Sequence, residues 1–149
     1  MKLAAKLNLK GTDTLTLLNA PDGFDIAVLE TAKVNQSVTD SDRIRFALAF
    51  VSSRAQIAEL AALLCPKAEG DALLWFAYPK KSSRRYRCDF SRDVGWEPLG
   101  VAGYEPVRMI AIDQDWAALR FRHVDYIKQL RRDPARALSA RGRELAGKD

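Results

Sequence analysis

Leu73-Leu74-Trp75-Phe76-Ala77-Tyr78-Pro79 runs straight into Lys80-Lys81-Ser82-Ser83-Arg84-Arg85-Tyr86-Arg87. The first part reads as a strand that is apolar throughout. Such a strand needs cover on both sheet faces, as in a parallel or mixed α/β sheet. The second part is a basic loop at the carboxyl end of that strand, the edge where open α/β sheets hold their ligands. Position and charge therefore mark a place to look. No nucleophile–base pair, metal cluster or phosphate loop can be read from the residues around it.

The rest of the chain is consistent with one domain. Its 149 residues are enough for a sizeable core, and the 48% hydrophobic and 29% charged content is that of a globular protein. No apolar run approaches the roughly 18–20 residues of a membrane span. Lys6 interrupts the N-terminal segment Met1-Lys2-Leu3-Ala4-Ala5-Lys6 where a signal peptide would be apolar. Cys65 and Cys88 lack CxxC spacing, and His123 is the only histidine. These features predict a cytoplasmic protein with reduced thiols, no zinc site and no histidine-based triad.

The net charge of +5 is unevenly spread. Pro79 to Arg92 carries +5 and Arg120 to Asp149 another +5, which leaves −5 on the remainder. A basic loop and a basic tail are thus attached to a mildly acidic body. That suits an anionic small molecule or acidic partner, although clustered charge also simply solvates a surface.

Two further strands stand out, Thr14–Leu18 and Arg43–Val51, with a weak one at Val34–Val38. Ser53 with Gln56 fits a capping box, and Ile57, Leu60, Ala61 and Leu64 recur at helical spacing up to Pro66. Phe24 to Lys33 reads as a helix after the turn residues Asn19-Ala20-Pro21-Asp22-Gly23. Ser91 to Ala102 reads as partly helical, and Val124 to Leu130 as helical. Val107–Ile112 and Trp116–Arg122, joined by Asp113-Gln114-Asp115, require an antiparallel hairpin. This order predicts a single α/β domain over residues 1–130. Its expected form is a three-layer sandwich with a mostly parallel, Rossmann-like (methyltransferase-like) sheet ending in the hairpin. Residues 131–149 are predicted to be a mobile or surface-helical basic tail.

Several of these segments, taken together, resemble an uncharacterised bacterial family classed as a domain of unknown function. They are Leu17–Phe24, Trp75–Ser83, Asp89–Trp96 and Ile112–Phe121, within a likeness spanning about Leu7 to Arg122. The resemblance implies a compact α/β protein and carries no activity to transfer.

In a parallel sheet the loops after Leu18, Val51 and Tyr78 meet at one edge. Asn19, Gly23, Ser52, Ser53, Tyr78, Lys80, Lys81, Arg84 and Arg85 are the candidate ligand-binding residues there. The helix starting at Ser53 would offer N–H groups to an anion; Ser53 would equally serve as a simple cap. No cofactor is predicted: the Asn19–Gly23 loop has one glycine where a dinucleotide loop needs several, and Pro21 removes a donor. Asp40 and Asp42 are the nearest acids for a ribose. Asp113 and Asp115 read as paired carboxylates or as turn residues, and Asp89 as an ion-pair partner of the neighbouring arginines. The leading expectation is a non-catalytic module binding an anionic ligand or partner through residues 79–87. One alternative is a small enzyme on a degenerate methyltransferase-like fold, marked by a pocket lined with Asn19, Ser52, Tyr78 and Asp113. The other is a nucleic-acid-binding protein that uses the basic loop, the aromatics Tyr78, Tyr86 and Trp96, and Arg131, Arg132, Arg136, Arg141 and Arg143.

Overall fold

A computed structural model describes residues 2–9, 12–31, 33–38, 43–91 and 93–127. The expected basic tail, the end of the helix expected up to Leu130, and Asp40 and Asp42 lie outside the described residues.

Among the described residues six strands form one mixed sheet in the order β2-β1-β3-β4-β6-β5. They are β1 (Thr14–Leu18), β2 (Lys33–Asn35), β3 (Ile44–Phe50), β4 (Ala68–Pro79), β5 (Tyr104–Ala111) and β6 (Trp116–His123). The first four run parallel, with Leu17 opposite Leu48 and Leu48 opposite Trp75. β6 then lies antiparallel beside β4, and β5 antiparallel beside β6. The parallel pairing of β3 with β4 and the C-terminal hairpin follow the sequence expectation. The mostly parallel Rossmann-like sandwich does not. The antiparallel ladders register six and seven residue pairs, against three, three and six in the parallel ones. Antiparallel pairing therefore dominates the C-terminal part of the sheet.

Among the described residues the helices are also too few and short for two full covering layers. One face is covered by α2 (Arg54–Leu64) and the five-residue α3 (Glu97–Val101). Ile57, Leu60, Ala61 and Leu64 of α2 are buried, as their spacing requires. With Phe76, Trp96, Leu99 and Phe121 they form one core. Trp96 is its hub: edge-on contacts join it to Phe76, Tyr78 and Phe90, and its indole N–H donates to the Ser91 carbonyl at 3.0 Å. Such burial of a large ring with its polar handle satisfied is strongly stabilising.

The other face is covered by α1 (Leu3–Lys6), a 3₁₀ turn at Ile26–Leu29 and adjoining loop residues. The helix expected over Phe24–Lys33 shrinks to that turn. Asp25 caps it by accepting from the Ala27 N–H at 3.1 Å, and Glu30 ends it in the left-handed region at φ 53°. The β-branched Val28 and Thr31 do nothing to extend it. Leu29 is the residue buried here, whereas Val28 stays exposed. Trp75 fills the centre of this second core, and its indole N–H donates to the Leu7 carbonyl at 3.0 Å. At its margin Arg122 forks onto Asp71 with bonds of 2.9 and 2.6 Å, a bidentate pair that ties β6 to the start of β4. Among the described residues no helix is long and apolar enough to cross a membrane.

Candidate functional site

The chain crosses from β1 to β2 in one direction along the sheet and from β3 to β4 in the other. The sense of winding therefore reverses between β1 and β3. The two connections lie on opposite faces, since Leu29 belongs to one core and Ile57 to the other. Just beyond the carboxyl ends of β1 and β3 such a reversal leaves a crevice, because neighbouring connections depart to opposite sides. A cleft of about 310 Å³ lies there, lined by Asn19, Pro21, Phe50, Val51, Ser52, Gln56, Arg85, Tyr86, Arg87 and Trp116.

Each polar group of this cleft has a local reason for its place. Asn19 follows β1 in the left-handed region, φ 58°, a conformation asparagine tolerates better than most residues. Ser52 and Gln56 are held together at the start of α2. The Gln56 carbonyl oxygen accepts from the Ser52 N–H at 2.7 Å and from its hydroxyl at 3.1 Å. That commitment leaves the amide NH₂ end of Gln56 as a donor group. Arg85 stacks over the Tyr86 ring at 5.3 Å, and Tyr86 packs on Trp116 at 4.9 Å. Trp116 in turn meets Phe50 edge-on. An aromatic ladder thus carries one arginine from the core to the cleft.

The N-terminus of α2 itself is already engaged. Ser53 Oγ accepts from the Gln56 N–H at 3.1 Å, one half of the expected capping box, while the Gln56 side chain returns to the Ser52 N–H. Asp89 accepts from the Arg54 N–H at 2.8 Å. The carboxylate expected to pair with nearby arginines therefore acts as the anion at this helix end. Ser53 serves the helix and does not line the cleft.

The basic loop is clamped by the β5–β6 hairpin. The Lys80 N–H donates to the Asp115 carbonyl at 2.8 Å. Ser83 Oγ donates to the Asp115 carboxylate at 2.8 Å and accepts from the Tyr86 N–H at 3.0 Å. Asp113 shapes the hairpin turn, accepting from the N–H groups of Asp115 and Trp116 at 2.8 and 2.9 Å. The two carboxylates are thus a turn former and a loop clamp. Sequence reading missed the Ser83–Asp115 clamp, since 32 residues separate the partners. Only the pairing of Pro79 with Trp116 brings them together.

A second cleft, of about 580 Å³, opens on the other side of the loop. Tyr78, Pro79, Lys80, Lys81, Phe90, Ser91, Asp93, Met109, Ile110, Ala111 and Ala117 line it. The predicted site residues are therefore divided. Asn19, Ser52 and Arg85 share the first cleft, while Tyr78, Lys80 and Lys81 share the second. Gly23, Ser53 and Arg84 line neither, and Asp113 does not join Asn19, Ser52 and Tyr78 in one pocket. Gln56 and Arg87 join the first cleft without having been singled out. The sequence marks Gln56 as a helix cap, and Arg87 only as part of the binding loop 79–87.

Several sequence candidates also pack within the fold. Tyr78 and Trp96 are buried, and Tyr86 is half-buried on Trp116, so the three rings form no open surface on which bases could stack. Cys88 is half-buried and donates to the Phe90 carbonyl at 3.1 Å. His123 packs on Tyr104, and its Nδ1 accepts from the Asp125 N–H at 3.2 Å. Among the described residues no group of three or more His, Cys, Asp or Glu side chains could hold a metal ion.

Compared with known proteins, the chain matches no protein-family model and no curated protein.

Proposed function

We propose that this protein is a non-catalytic binding module for a small anionic ligand, held in the cleft between the ends of β1 and β3. One observation carries the reading: Asn19, Ser52, Gln56, Arg85 and Arg87 line that cleft, and among the described residues no carboxylate lines it. Amide and guanidinium donors converging without a competing acid favour an oxyanion, and hydrogen bonds to charged groups are the stronger kind. The location supports the same reading, because the crevice lies where the sheet reverses its winding. Its volume of about 310 Å³ suits a phosphate, a sulfate or a small carboxylate-bearing metabolite rather than a large cofactor. The clamp from Asp115 onto Lys80 and Ser83 holds the arginine-bearing loop in place before any ligand arrives, which lowers the ordering cost of binding.

Isothermal titration with inorganic phosphate and with sulfate at low ionic strength tests the proposal. The expected result is saturable binding that weakens about tenfold or more in an Arg85→Ala, Arg87→Ala double variant. No binding to either ion by the wild-type protein, or equal binding by the double variant, would overturn it.

A further inference from the structure

We infer that the second cleft, on the opposite side of the basic loop, is a separate site for an apolar monoanion, such as an aromatic or aliphatic acid. The hollow has a specific cause in the sheet register. Tyr78 stands opposite Ala117, and Ala117 opposite Ala111, so one row across three strands carries two alanines beside a tyrosine. The next row pairs Phe76 with Leu119 and Leu119 with Met109. Small side chains in the first row leave a depression that large ones in the second do not fill.

The walls are apolar and held. Tyr78 and Phe90 are buried and pack ring to ring at 6.0 Å. The Tyr78 hydroxyl meets the Met109 sulfur at 3.4 Å, yet Met109 remains 46% exposed. A methionine that is partly anchored and half uncovered is an adaptable apolar surface for a ligand. Charge adds direction at the loop side of the cleft. Lys80 and Lys81 carry two positive charges, and among the described lining residues Asp93 is the one acid. The described lining is thus net positive, which suits a ligand carrying a negative group. The Lys80 backbone is held to Asp115, which anchors the base of its side chain at the loop edge of the cleft. The volume of about 580 Å³ falls in the range of sites that bury a whole small organic molecule.

This site rests on different residues from the phosphate cleft, and the two are separable. The probe is 8-anilinonaphthalene-1-sulfonate, an aromatic monoanion whose emission rises in apolar surroundings. Its uncharged counterpart is N-phenyl-1-naphthylamine. The sulfonate is expected to bind saturably at one site and more tightly than the uncharged probe. Ala111→Phe should fill the hollow and abolish binding. Ala111→Asp, a smaller change at an exposed position, should abolish binding of the sulfonate by repulsion. Lys80→Ala with Lys81→Ala should weaken the sulfonate by roughly tenfold and erase its advantage over the uncharged probe. The Arg85→Ala, Arg87→Ala variant should bind it as the wild type does. Near-ultraviolet circular dichroism establishes that each variant retains its fixed aromatic packing. Absence of sulfonate binding by the wild type would overturn the inference. So would unchanged binding in folded Ala111→Phe or Ala111→Asp protein, loss of binding in the double arginine variant, or equal affinity for the uncharged probe.

Discussion

The two clefts share the Pro79–Arg87 loop as a wall, yet their linings differ sharply. One presents Asn19, Ser52, Gln56, Arg85 and Arg87 on a backing of Tyr86, Trp116 and Phe50. The other presents Tyr78, Phe90, Met109, Ala111 and Ala117 with two lysines. The difference arises from strand pairing more than from the loop's own composition. The first cleft sits where parallel strands reverse their winding, and connections rich in donors meet there. The second sits over the antiparallel pairing of β4, β6 and β5, where alternation sets alanines beside a tyrosine. A run of similar charges is thereby divided into two environments, and the hairpin holds it at Lys80 and Ser83.

The largest expected effect comes from the ring that backs the donor-lined cleft. Trp116→Ala should cost about 3–5 kcal/mol of stability in urea unfolding, because a buried ring is removed and Phe50 and Tyr86 both lose its contact. Phosphate binding should fall with it. A cost under about 1 kcal/mol would show that this aromatic ladder does not hold the loop.

Ser83→Ala removes the clamp common to both clefts. The hydroxyl donates to a carboxylate and accepts from a backbone N–H, so the expected cost is about 1–2 kcal/mol. Faster amide exchange should appear at Ser83 to Arg87. Protection unchanged at those amides would mean that the loop is held by other contacts.

A control away from both clefts comes from the alkaline range. Burial pushes the Cys65 thiol up to about 11 from 9.0. Burial, with smaller contributions from Cys65 and Tyr126, pushes the Tyr104 hydroxyl up to about 12 from 10.0. In each case the folded state holds its proton longer than the unfolded state. Stability from these groups is therefore full below pH 9 and is lost as pH rises from 9 through 11 and 12. The thiol alone should remove about 1 kcal/mol between pH 9 and pH 10, and Cys65→Ala should flatten that part of the profile. Stability that rises over this interval would contradict the assignment.

The smallest effect is expected at Arg84, which is exposed and lines neither cleft. Arg84→Ala should change stability by less than about 0.5 kcal/mol and leave both ligands bound. Loss of phosphate affinity in this variant would place the anion outside the cleft proposed for it.

How much of this was legible in the sequence depended on whether the signal was local. The apolar run of β4, the capping box at Ser53 and the Ile57–Leu64 periodicity were all readable, because a strand, a cap and a helix face are written in neighbouring residues. Of the apolar residues in the predicted strands, Leu17, Leu48, Phe50, Leu74, Phe76, Leu119 and Phe121 are buried, whereas Phe46 is only half-buried. The basic loop at the carboxyl end of β4 was placed for the same reason. The mostly parallel sandwich failed because pairing partners are not written locally. An apolar β4 needs two covered faces, but it does not specify that an antiparallel β6 lies alongside. The Phe24–Lys33 helix failed because an apolar periodicity over ten residues was outweighed by the Asp25 cap and the left-handed Glu30. The division of the site into two clefts depends on the opposition of Tyr78, Ala117 and Ala111, and therefore on a register that local patterning does not give.

The most direct test is a pair of amide chemical-shift titrations on one isotopically labelled sample, first with inorganic phosphate and then with 8-anilinonaphthalene-1-sulfonate. Phosphate should move the amides of Asn19, Ser52, Gln56, Arg85 and Arg87 and spare those of Met109, Ala111 and Ala117. The sulfonate should do the reverse and also shift Lys80 and Lys81. Two ligands moving the same set of amides would contradict the separation of the two clefts.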